Sequence, residues 1–154
     1  MIQIRAYSPS DAPDMLELNR HVLKYYNLDA ATDQEEQRLI ALLDGRRHLS
    51  CELAYVDGRP AGFATWVLTF PAGTGTALYM KELFVAPGFQ DQGVGKALMA
   101  HLARIARDEG CKRIDWQTDG DNAGAQAFYG AMGAPVIDKV SYRVTAADFD
   151  RFSR

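Results

Sequence analysis

Three apolar runs of strand length follow one another in the middle of the chain, and they constrain the fold more than any other feature. Residues 49–56 and 61–70 flank Asp57-Gly58-Arg59-Pro60, a turn signal that joins them as an antiparallel hairpin. Residues 71–75 make a second turn, and residues 77–85 a third strand. A chain with this centre must build a sheet and cover its faces with whatever precedes and follows.

The flanking segments supply the cover. Residues 2–6 alternate apolar and polar and suit a short strand. Ser8-Pro9-Ser10-Asp11 then reads as a helix start, with Ser8 to cap, Pro9 at the first helical position and Asp11 at the positive end of the dipole. Met15, Leu18, Val22 and Tyr25 recur behind it at helical spacing. A second helix opens on Thr32-Asp33-Gln34-Glu35, which has the capping-box form, and carries Leu39, Ile40, Leu42 and Leu43 to a stop at Gly45. Beyond the three strands, Val94, Leu98, Leu102 and Ile105 form another helical stripe that ends at Gly110. Residues 112–118 are the next strand, 122–132 the next helix, 136–144 a last strand, and 145–152 add a helical turn or two. The expected fold is a mixed α/β sheet, antiparallel in its front half with a helical crossover behind, in a single domain spanning residues 1–154.

Composition removes several classes. A net charge of -3 gives no clustered Lys and Arg to neutralise nucleic-acid phosphates, and no stretch approaches the roughly 20 apolar residues that span a bilayer. With no apolar core of secretory length at the N-terminus, a cytoplasmic protein is expected. Cys51 and Cys111 stand far apart and read as buried or half-buried thiols, and His21, His48 and His101 are too scattered to hold a metal.

Chemistry enters at FVAPGFQDQGVGKALM, Phe84 to Met99, where a strand-like run breaks at a proline and two glycines lead into a helix. The dinucleotide pattern GxGxxG fails at Leu98, and a P-loop fails at Gln90 and Ala97. Asp119 to Gly130 has an EF-hand look but lacks the final glutamate. What remains is Gln90-x-x-Gly93-x-Gly95 opening a helix, whose first N–H groups lack partners and attract anions. Local spacing alone is equally consistent with a Gly-rich turn that holds nothing.

Two motifs together resemble the GNAT superfamily of N-acetyltransferases. Leu83-Phe84-Val85-Ala86-Pro87-Gly88-Phe89-Gln90-Asp91-Gln92-Gly93-Val94-Gly95-Lys96-Ala97-Leu98 is similar to its acetyl-CoA motif, and Asn122-Ala-Gly-Ala125-Gln-Ala-Phe128-Tyr129-Gly-Ala-Met-Gly133 to its second. The resemblance covers essentially the whole chain, and Ser141 to Thr145 is also like the last strand of bacterial relatives of diamine acetyltransferases. It implies transfer of acetyl from acetyl-CoA to a primary amine of a small molecule or peptide, by direct attack, without metal. An acetyl-CoA sensor on the same fold, without turnover, is the competing reading, and a homodimer is implied by family habit.

The same resemblance assigns roles. Backbone amides from Gln92 through Lys96, with Gln90 and Asp91 leading in, would hold the pyrophosphate, and the strand at Leu83, Phe84 and Val85 would bond the pantetheine arm and offer one N–H to the thioester oxygen. Tyr129 would protonate the departing thiolate, since a phenol is protonated at neutral pH; a helical tyrosine can equally be a packing residue. Glu82 would take the amine proton or else be a solvated strand residue. Lys81 and Glu82 face opposite sides unless a bulge intervenes, as the family leads one to expect, so either could meet the acceptor. Lys81 stands where diamine-acetylating relatives often carry Glu, which counts against a polyamine. Asn122 would cap its helix and, with Phe128, lie along the pantetheine. Tyr25 and Tyr26, near Asp29, Asp33, Glu35 and Glu36, would receive a cationic amine, although a charged helix surface reads the same way.

Overall fold

The computed structural model describes residues 1–45 and 48–154. By their contacts these fall into two compact units, Met1–Gln117 and Thr118–Arg154.

The first unit carries one sheet of five strands in the spatial order β1 (Ile2–Ala6), β2 (Ser50–Val56), β3 (Arg59–Thr69), β4 (Ala77–Val85), β5 (Ile114–Asp115). The first four pair antiparallel and β5 runs parallel to β4, as the helical crossover between them requires. The strands 2–6 and 77–85 stand at the boundaries expected, and the hairpin turns at Asp57 and Gly58, both in the left-handed region (φ 48° and 78°).

Helices α1 (Ala12–Tyr25) and α3 (Val94–Asp108) cover opposite faces of the sheet. Cys51 Sγ lies 3.8 Å from Met15 Sδ of α1, whereas its neighbour Glu52 lies 2.9 Å from His101 Nε2 of α3. Adjacent strand residues face opposite ways, so each helix has its own side. Met15, Leu18, Leu53, Leu78, Val94, Leu98 and Leu102 are fully buried between these layers. Each such side chain contributes about 1.5–3 kcal/mol by leaving water.

The helix starts follow from their residues. Thr32 accepts from the Glu35 N–H at 3.2 Å while the Glu35 carboxylate accepts from the Thr32 N–H at 2.8 Å, the capping box read from sequence, and α2 (Asp33–Asp44) follows. The first helix begins later than expected: Pro9–Asp11 form a 3-10 turn, and α1 starts at Ala12. Asp11 explains the delay. Its carboxylate is buried in a two-pronged bond from Arg5 (2.7 Å each) and also accepts from the Ser8 N–H at 2.8 Å, which fixes the turn before the helix proper.

Two expectations for the back half need correction. The strand expected at 112–118 is reduced to Ile114–Asp115, because its ladder with β4 consists of Leu78 with Ile114 and Tyr79 with Asp115. Residues 136–144 form no strand. Their alternation is genuine, but a pleat exists only where an edge accepts it, and Val136, Val140 and Tyr142 are 97%, 76% and 91% exposed. The second unit otherwise holds α4 (Ala123–Ala131), a 3-10 turn at Ala146–Asp148 and α5 (Phe149–Phe152).

Candidate active site

Strand β4 parts from β5 after Tyr79, so from Met80 to Val85 it has no strand neighbour on that side among the described residues. Its other side stays paired with β3 throughout, except for one irregularity. Thr65 lies opposite Glu82 and Trp66 opposite Met80, which leaves Lys81 as the extra residue of a β-bulge. The bulge expected at this place is present.

The direction of the free backbone groups follows by alternation. The Ala86 N–H donates to Ala61 O at 2.8 Å, so Ala86 faces β3; Phe84 and Glu82 face β3 with it, and Leu83 and Val85 turn their N–H and C=O toward the open edge. Side chains sort by the same rule. The Phe84 ring meets Tyr25 of α1 edge-on at 6.1 Å, so Glu82, two residues earlier, also lies on the α1 face. Tyr25 in turn meets Tyr26 at 5.0 Å, and both rings are largely exposed (57% and 41%). Glu82 is half-buried and Lys81 exposed. The structure thus brings Tyr25, Tyr26, Phe84 and Glu82 to one face, beside the open edge.

The open edge runs directly into the Gly-rich loop. Gly88, Asp91 and Gly93 take positive φ (87°, 60° and 85°), and the Gln92 side chain closes the loop by donating to Gly88 O at 2.8 Å. Gly93 caps α3 with no side-chain bond, and the first helical bond is Ala97 N–H to Gly93 O at 2.9 Å. The N–H groups of Val94, Gly95 and Lys96 therefore have no acceptor within the helix, and no acidic side chain stands in its first turn. Gln90, Asp91, Gln92, Gly93 and Lys96 are exposed, while Val94 and Gly95 are buried and pin the helix start. An anion placed there meets aligned donors and the positive helix end.

In the second unit, Asn122 caps α4 by accepting from the Ala125 N–H at 3.0 Å. Tyr129 and Phe128 are half-buried on that helix, their rings 5.1 Å apart and edge-on. Cys51, buried in the first unit, is a packing thiol whose pKa burial pushes far up, so no thiolate nucleophile forms there.

Sequence reasoning missed two arrangements. Arg59, read only as a turn residue, holds its guanidinium 5.0 Å above the Phe89 ring in the loop. Glu52, buried on β2, accepts from Trp66 Nε1 at 3.3 Å and lies 2.9 Å from His101, tying the strand residue opposite the bulge to α3. A glutamate inside an apolar strand was the available signal for the second; nothing in the sequence signals the first.

Known proteins share this sequence pattern and this fold. The profile described as the Acetyltransferase (GNAT) family matches residues 13–134. The thialysine N-epsilon-acetyltransferase of Caenorhabditis elegans is 21% identical, covering 98% of this chain and 96% of its own. The aminoglycoside N(6')-acetyltransferase type 1 of Stenotrophomonas maltophilia is 28% identical over 90% of each chain. Among solved structures, an integron cassette protein from the mobile metagenome of V. cholerae superposes with a TM-score of 0.85 at 29% identity, covering 99% of this chain and 98% of its own. An aminoglycoside N-acetyltransferase in complex with CoA shares the fold with a TM-score of 0.82 at 20% identity, over 95% of each chain. The chain belongs to the GNAT acetyltransferase family and is an N-acetyltransferase that draws its acetyl group from acetyl-CoA.

Proposed function

We propose that the enzyme acetylates a primary amine of a small cationic molecule by direct attack on acetyl-CoA in a ternary complex. The observation that carries this reading is the open edge of β4, whose Leu83 and Val85 N–H groups lead without interruption to the unpartnered amides of α3. Pantetheine amides add to such an edge as a strand would, and the pyrophosphate takes the donors from Gln92 to Lys96. The Leu83 N–H then faces the thioester oxygen, where a preorganised donor stabilises the negative charge of the transition state. Asn122 and Phe128 line the pantetheine arm in this reading.

An ammonium has no lone pair, so its proton leaves first, to Glu82 directly or through water. The amine attacks the carbonyl carbon, the C–S bond breaks, and Tyr129 donates a proton to the departing thiolate. Tyr25 and Tyr26 receive the acceptor on the α1 face, where aromatic rings suit a cation. Lys81 at the bulge disfavours acceptors with several closely spaced charges. The named relatives act on thialysine and on aminoglycosides, which supports an amine-bearing small molecule as acceptor.

The chain works as one domain, an inference supported by a family match that runs from 13 to 134 across both compact units. We further place it in the cytoplasm as a homodimer. No helix of the described residues is long and apolar enough to cross a membrane, and the exposed apolar alternation of Val136, Val140, Tyr142 and Val144 suits pairing with a second copy. Light scattering that returns a monomer at micromolar concentration would remove the dimer.

Thiol release from acetyl-CoA, measured across a broad panel of amines, tests the central reading. Acceptor-dependent CoA release is the expected result. Tight acetyl-CoA binding without such release on any amine would refute the assigned acetyl transfer.

A further inference from the structure

From the position of Arg59 we infer a further cofactor contact, a charge-assisted bond to a phosphate of CoA; this rests on the loop reading above. Arg59 opens β3, and its guanidinium stands 5.0 Å above the ring of Phe89. Phe89 is buried to 9% exposure and immediately precedes Gln90, so the ring is a fixed platform at the head of the loop. Stacking engages only the flat face of a guanidinium. Its N–H donors radiate in the plane and stay available to an anion.

The charge is also not spent elsewhere. Among the described residues no carboxylate forms an ion pair with Arg59, and the nearest acid in sequence, Asp57, takes the Met1 ammonium at 2.8 Å. CoA brings three phosphoryl groups, two in the pyrophosphate and one on the ribose 3' position. Backbone donors at one helix end cannot neutralise all of that charge, and the loop itself adds the acidic Asp91. A cation anchored on the loop supplies what the amides lack. Arg59 binds and positions; it takes no part in the proton transfers.

The test measures binding of CoA and of 3'-dephospho-CoA by calorimetry to the wild type, R59M and R59K, with salt dependence and steady-state kinetics alongside. R59M keeps an apolar stem over Phe89 and removes the charge, so it should weaken CoA about tenfold and flatten the salt dependence while leaving kcat at saturation unchanged. R59K should recover part of the loss, because the charge returns without the planar fork. A loss that vanishes with 3'-dephospho-CoA assigns the 3'-phosphate, and one that persists assigns the pyrophosphate. R59M with unchanged affinity for both ligands overturns the inference alone. Equal losses in R59K and R59M with an unaltered salt dependence place the effect in loop packing and overturn it too. A wild type that binds neither ligand overturns the loop reading and this contact with it.

Discussion

Gly62→Ala is the most searching perturbation of the open edge, because Gly62 sits where β3, β4 and α3 approach most closely. A Cβ added there would stand 2.5 Å from the Phe84 carbonyl oxygen, 3.4 Å from Val85 Cα and 3.4 Å from a Val94 methyl. The first contact is with backbone, which cannot swing aside. An ordinary carbon–oxygen contact is about 3.3 Å, so β4 must move by about 0.8 Å. Such a shift stretches the neighbouring Ala86 N–H to Ala61 O bond, now 2.8 Å, beyond hydrogen-bonding range. Overpacking costs about 1–3 kcal/mol and the weakened bond about 1, while the lower entropy of the unfolded Ala chain returns about 0.5. The net loss is about 1.5–3.5 kcal/mol, or roughly 3–14 °C in Tm for a domain of this size. The moved segment is the one that presents Leu83 and Val85, so KM for acetyl-CoA should rise several-fold as well. Gly73→Ala is the control: Gly73 has φ 76° and nothing within 4 Å of the added atom, so it costs about 1 kcal/mol of strain and leaves the kinetics alone. Calorimetry and steady-state kinetics on both variants decide the matter. A Gly62→Ala enzyme that melts within a degree of wild type refutes the packing argument, and one that melts early with unchanged KM refutes the link between this edge and the cofactor.

Other variants separate the assigned roles. Tyr129→Phe should lower kcat about a hundredfold and acetyl-CoA affinity little, and equal loss in both would reassign the residue to packing or binding. Gly93→Asp puts a carboxylate and a strained φ, now 85°, at the helix end, and acetyl-CoA affinity should fall about tenfold or more by calorimetry; an unchanged value would sink the phosphate assignment. Asp11 is held far below the usual carboxylate range, chiefly by the Arg5 bond and then by Ser8. A depressed folded pKa means stability that is full above the unfolded value near ~3.9 and lost as pH falls below it. Asp11→Asn should therefore cost about 2 kcal/mol at neutral pH, discounted for the half-exposed Arg5, and flatten the acid limb of a pH-dependent denaturation series; an unaltered acid limb would contradict the assignment.

Legibility in the sequence followed the range of the interactions. The caps at Thr32 and Asn122, the stop near Gly110 and the bounds of β4 were readable because each depends on residues a few places apart. The 136–144 segment was misread because alternation records a capacity to pair and says nothing of whether a partner edge exists. The same gap shortened β5. Arg59 and Phe89 meet across thirty positions through the β2–β3 hairpin and the β4 exit, and no local pattern marks that meeting. Tyr129 stands out in the sequence only through the motif around it, since a helical tyrosine is ordinary in itself.

The bulge at Lys81 shows how a single residue decides which side chains of a strand meet each layer. Before it, the even residues Leu78 and Met80 are buried on the α3 face, and the Leu78 N–H bonds outward to Arg113 O. Past it, the odd residues Leu83 and Val85 take over the open edge and the α3 face. Had the alternation run on unbroken, Glu82 and Phe84 would lie under α3, with a carboxylate among Val94 and Leu98 and no aromatic contact to Tyr25. One inserted residue therefore sets the half-buried Leu83 and Val85 on the α3 face and turns the carboxylate and the buried ring toward α1. The extra residue, Lys81, is the exposed one of this stretch, so the bulge leaves its side chain in solvent while Leu83 replaces Glu82 on the α3 face. The α1-facing side of Glu82 and the α3-facing side of Leu83 are two consequences of the same register shift.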